Sequence, residues 1–277
     1  MSINTGDFRA IFSTPQNFNA TGSGGDITIH SDTTLNLAFA ALTSQAFQGQ
    51  AGDVVLTARD ISMNAALIGS AGLLGSGAVT ITANQLYMTN STQIESETVF
   101  APGKDITITT NVLEMTDGST IRTQTSGPDP AGNIVITAYD HITLADTPTA
   151  IRPSGFYSNS LGVEGEELDT LGGNAGSIAV TTPRLTMLGG ARIDSTTQTS
   201  GRGGDVTINT TGAISIAGEL KFTPPEDFFT LGSATAGGIF TRSIGSEFCS
   251  GPCGNAGNIS ITAGSLSMGI GGQINSG

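Results

Sequence analysis

Apolar residues recur along this chain as short alternating runs and never as helical stripes. The phrase Gly-x-Ile/Val-x-Ile/Val, or a close variant, places its first apolar residue at Ile27, Val54, Val79, Ile106, Ile134, Ile178, Val206 and Ile259. Successive spacings are 27, 25, 27, 28, 44, 28 and 53 residues. Five of these are one period of 25 to 28, and the two long ones are a period carrying an insertion. A second run starts 7 or 8 residues after the first in every period, as in Leu35-Asn36-Leu37, Leu86-Tyr87-Met88, Leu113-Glu114-Met115 and Leu266-Ser267-Met268. A third follows in Ile94-Glu95-Ser96, Ile121-Arg122-Thr123, Ile193-Asp194-Ser195, Ile239-Phe240-Thr241 and Ile274-Asn275-Ser276.

Alternation over three to five residues, bounded by Gly, Asn, Asp and Ser, is a strand signal, and no window has the i, i+3, i+4, i+7 spacing of a helix. Three strands at fixed offsets in each period predict an all-β fold, a right-handed parallel β-helix with coils of about 25–28 residues and loop insertions. An antiparallel sandwich has no reason to keep that phase. Equivalent inward residues should stack into columns, Ile27 to Ile259 being one of them. Gly25, Gly52, Gly77, Gly132, Gly176, Gly204 and Gly257, just before the first run, fit a corner that needs positive φ or a close backbone approach. Asp26, Asp53, Asp105, Asn133, Asp205 and Asn258 form a polar column beside them, expected to cap backbone N–H groups rather than to bind calcium.

Composition narrows the function classes. There are 10 basic and 23 acidic side chains for a net charge of −13, 39 Gly, 3 Tyr and no Trp. Nucleic acid and direct membrane insertion are therefore not expected, since the charge opposes phosphate binding and no run approaches the roughly 18 apolar residues of a membrane span. No cofactor motif and no metal-ligating cluster stands out, and His30 and His141 belong to different coils. Cys249 and Cys253 share the loop CSGPC, where a small disulfide, two free thiols and half of a metal site all fit the spacing.

The phrases GNAGSIAV, GRGGDVTI and GNAGNISI, each followed by Leu/Ile-x-Met/Ile, and the runs LGGARIDS and GIGGQINS resemble the repeats of filamentous haemagglutinin-type exoproteins. These are large bacterial adhesins exported by two-partner secretion, and the resemblance covers residues 20 to 277. It implies a right-handed parallel β-helix, passage through an outer-membrane secretion pore, residence at the bacterial cell surface and attachment to a glycan or protein of a host or neighbouring cell. The chain lacks a signal peptide and has no Asn-Pro dipeptide of the kind found in the family's secretion domain, so residues 1–277 read as one interior β-helical segment of a larger protein.

On a regular solenoid, recognition is expected where the period fails. The insertions fall at 152–173, 217–238 and 243–255. The first and third should leave one corner two coils apart, and together the three would frame a patch holding Phe156, Tyr157, Phe228, Phe229, Phe240 and Phe248, with anchoring of the loops as the alternative role for these rings. On the third-run face Glu95 should lie beside Arg122, and Arg152 beside Asp194, as cross-strand ion pairs. Two other functions suggest themselves. A polysaccharide lyase or hydrolase would draw on Glu164, Glu166, Glu167, Asp169, Glu226 and Asp227, although these sit in loops. An ice-binding face would use Thr-x-Thr arrays such as Thr80-Ile81-Thr82 and Thr107-Ile108-Thr109. The favoured expectation is an adhesive segment without enzyme activity.

Overall fold

A computed structural model describes residues 2–3, 9–13, 22–147, 150–162, 172–218, 236–244 and 253–277. The strands form two sheets, one of 13 and one of 9 strands among the described residues, and the pairings are parallel. This is a parallel β-helix. The first and second runs share the larger sheet, and in four coils they are one bent strand: Ile27–Ala38, Val54–Asn64, Ile106–Thr116 and Ile134–Ala145. The third runs make the smaller sheet.

The register stacks equivalent residues as the periodicity requires. Ile27, Val54, Val79, Ile106, Ile134, Ile178, Val206 and Ile259 pair in succession. A second column runs from Leu35 through Ile61, Leu86, Leu113, Ile142, Leu185 and Ile214 to Leu266. Before the last coil these side chains are almost wholly buried, and together they form one continuous core. Burial at about 25 cal/mol per Å² of apolar surface is what holds coils that have no helices to pack on.

The third column contains residues that the sequence pattern does not flag. Leu42, Ile68 and Phe156 fill the place that Ile94, Ile121, Ile193, Ile239 and Ile274 fill elsewhere. The strand Gly155–Ser160 is therefore the third run of its coil, and that part of the segment expected as an insertion at 152–173 belongs to the solenoid. Phe156 is completely buried. It is a core residue, not part of a contact patch.

Two ladders explain the corner between the third run and the next first run. A Cβ added to Gly77, Gly132, Gly176, Gly204 or Gly257 would lie 1.9–2.1 Å from a carbonyl oxygen of the coil before, that of Gly52, Lys104, Gly132, Gly176 or Gly204. None of these glycines has a positive φ. Close approach is thus their requirement. Positive φ is concentrated at the other corner, after the second run, where Phe39, Ala65, Asn90, Asp117, Gly189, Gly218 and Gly271 adopt it, while Gly75 and Gly162 adopt it after third runs. The tight glycine corner hides backbone groups from water, and a buried hydroxyl column satisfies them. It runs through Ser44, Ser70, Ser96, Thr123, Ser158, Ser195 and Thr241, and ends at Ser276, which is exposed in the last coil. Ser70 Oγ donates to Gly52 O at 2.9 Å and accepts from Gly77 N at 2.6 Å.

Outside that corner the polar column acts as expected. Asp26 Oδ1 accepts the N–H of Asp53 at 2.8 Å, Asp53 that of Ala78 at 2.8 Å, Asp105 that of Asn133 at 2.7 Å and Asp205 that of Asn258 at 2.8 Å. Each side chain caps the next coil, so the carboxylates are turned onto backbone donors instead of facing one another.

Candidate functional site

The outward face of the smaller sheet carries most of the chain's unusual chemistry. Its central column is Thr43, Gly69, Glu95, Arg122, Tyr157, Asp194 and Phe240 in consecutive coils. Beside it runs Gln45, Ala71, Glu97, Gln124, Asn159, Thr196 and Arg242. Outward positions normally face water, yet in the strand Arg192–Thr197 every residue is buried.

At the end of this face nearer residue 22, Arg122 bridges two carboxylates of the strand Gln93–Thr98. Its Nη2 reaches Glu95 Oε2 at 3.0 Å and also Glu97 Oε1. The expected Glu95–Arg122 pair is present, and Glu97 completes it. Burial, and then the neighbouring Glu97, push the Glu95 carboxyl above its ordinary range, and Arg122 opposes them.

The expected Arg152–Asp194 pair does not form. Because the strand begins at Gly155, Arg152 stands at the corner before it, where Nε donates to Gly118 O at 3.1 Å, Nη2 to Ser91 O at 3.3 Å and Nη1 to Gln93 Oε1 at 3.4 Å. It straps the corner across coils, and its burial lowers its pKa. Asp194 instead has Tyr157 and Phe240 as neighbours, and its ion partner is Arg242. Two guanidiniums lie over the ring of Phe240, Arg192 at 5.3 Å and Arg242 at 5.2 Å from its centroid. Such cation–π contacts strengthen when water is excluded, and Phe240 is only 4% exposed. Tyr157 points outward and donates its OH to Pro153 O at 2.9 Å, and burial raises its pKa.

Of the expected patch, then, Tyr157, Asp194 and Phe240 are brought together on one face, Phe156 faces the core and Arg152 lies at a corner. Phe228, Phe229, Phe248 and Cys249 lie outside the described residues. Cys253 is disulfide-bonded. Sequence reasoning missed Glu97, Arg192 and Arg242, although each lies two residues from an outward residue already identified, which is the signal that finds it on a strand.

The Thr face on the larger sheet is partly regular. Thr57, Thr82, Thr109, Thr137 and Thr181 stack in five successive coils, while the parallel column is broken by Val55, Val135 and Ala179. Among the described residues no cluster of three or more His, Cys, Asp or Glu side chains is placed to hold a metal ion. Comparison with protein families, with curated proteins and with solved structures finds no match.

Proposed function

We propose that this chain is a segment of a secreted bacterial surface exoprotein of the filamentous haemagglutinin type, a β-helical stalk that attaches its cell to a glycan or protein. The observation that supports it is which strands border the stretches where the period lengthens. Residues 161–172 follow the strand Gly155–Ser160, and residues 218–236 and 244–253 flank the strand Gly237–Ser243. Those two strands are separated by one strand, Arg192–Thr197, so their ends lie about 10 Å apart. The described chain thus leaves and re-enters the coils at strands of the face that carries Tyr157, Asp194 and Phe240. The Asp194 carboxylate on this face is paired with Arg242, which favours a binding surface over an acid–base site there.

Attachment of protein-coated beads to cultured cells, read beside a glycan array, tests this. The chain should hold the beads and label a subset of glycans or a cell-surface protein, and Phe228→Ala with Phe229→Ala should cut retention by about tenfold, the factor given by one lost anchor of 1.4 kcal/mol. Beads that never attach would refute the adhesive reading.

A further inference from the structure

We propose that a groove on the smaller sheet, away from the insertions, binds a neutral oligosaccharide; this rests on the glycan-attachment reading and gives it a second site and a ligand class. The groove is a depression of about 270 Å³ crossing four coils, with Gln45, Glu97 and Gln124 along its floor and Phe47, Leu73 and Val99 along its wall. Floor residues come from one outward column, Gln45–Ala71–Glu97–Gln124, so they repeat at the strand spacing and span about 14 Å. Ala71 and Gly72 leave the middle open.

A second, independent observation points to a ligand. Among the described residues four buried side-chain polar atoms lack a hydrogen-bond partner, and three lie on this face: Thr43 Oγ1, Gln124 Oε1 and Asn159 Oδ1. The fourth, His141 Nδ1, has Asp140 Oδ2 at 3.2 Å. Gln124 lines the groove, Asn159 is its neighbour one coil on, and Thr43 precedes Gln45 by two residues on the same strand face. Asn159 is 7% and Thr43 3% exposed. A buried amide without a partner costs about 1–3 kcal/mol. The terminal amide torsion of Gln is soft, so Gln124 turns toward the groove at little cost and recovers that penalty when a hydroxyl arrives.

The chemistry of the lining selects the ligand. Amide and carboxylate groups opposite an aliphatic and aromatic wall suit a sugar ring, which has hydroxyl edges and an apolar C–H face. Glu97 lines the groove and shares the guanidinium of Arg122 with Glu95, in a chain of net charge −13. Uronic and sulfated sugars are repelled and neutral ones admitted.

Calorimetric titration of the whole chain with cellotetraose, maltotetraose and mannotetraose, with tetragalacturonate as the acidic control, tests the groove. At least one neutral tetraose should saturate and the acid should not. Gln124→Ala and Leu73→Ser should each weaken binding by about tenfold at an unchanged melting temperature, as expected when a partner worth 1.4 kcal/mol is removed. The groove is overturned if no neutral tetraose binds, if Gln124→Ala binds as the parent does, or if the surface takes only peptides. Sugar binding that survives Gln124→Ala but is lost in Phe228→Ala would overturn the groove and leave the adhesive reading standing. Beads that fail to attach would remove that reading whatever the titration gives.

Discussion

Ser195 has two partners inside the coil: its Oγ accepts the N–H of Gly204 at 2.8 Å and donates to Gly176 O at 3.1 Å. Both groups sit at the corner where glycines crowd against the coil before, out of reach of water. Ser195→Ala should therefore lower stability by about 1–3 kcal/mol, the cost of buried groups left unpaired. Ser195→Thr should restore it, since Thr241 holds the next rung and donates to Gly257 O at 2.8 Å. Urea midpoints measure this, and equal midpoints for Ser195→Ala and the parent would remove the role of the hydroxyl column. This scale was only half legible. The alternation Ile-x-Ser marked the hydroxyl as inward, but nothing in a single sequence says that its partner is a glycine nine residues on. The glycines themselves were visible, and only the structure separates close approach from positive φ.

At the scale of the strand, the larger sheet was readable because its columns accept only Ile, Val, Leu and Met, and their spacing hardly varies. The smaller sheet was not, because its column also accepts Leu42 and Phe156, and because residues 146–154 delay the strand Gly155–Ser160. That delay displaced the expected Arg152–Asp194 pair. The groove was invisible for another reason: Gln45, Ala71, Glu97 and Gln124 look ordinary singly and become neighbours only when four coils stack. Strand pairing also concentrates charge, and this has a pH signature. Burial first, and Glu97 second, raise Glu95 above the usual 4.5. An acid raised in the folded state contributes stability that is fully present below its unfolded pKa and lost as pH climbs through the folded one. The melting temperature of the parent relative to Glu95→Gln should thus be highest below about pH 4.5 and decline toward neutrality. Parallel curves for the two proteins would mean that Glu95 titrates as it does in the unfolded chain.

For the whole molecule, the last coil has strands paired on one side only, among the described residues, and leaves Leu266 and Met268 each 45% exposed and Ile270 89% exposed. Unpaired parallel edges with an apolar lining invite a second edge. For a polypeptide of residues 1–277 alone, sedimentation should show association that grows with concentration and is suppressed by Met268→Lys; a monomer at all concentrations would show the edge to be protected. The same nearest-neighbour cohesion sets how the stalk carries load. The hydrogen bonds between coils lie along the axis, so the coil interfaces bear tension in series and the terminal coil, held by one neighbour, yields first. Each coil that peels releases about 27 residues, roughly 90 Å of extended chain, and the next holds as the first did. Under a pull the β-helix lengthens in steps, dissipating work at each one.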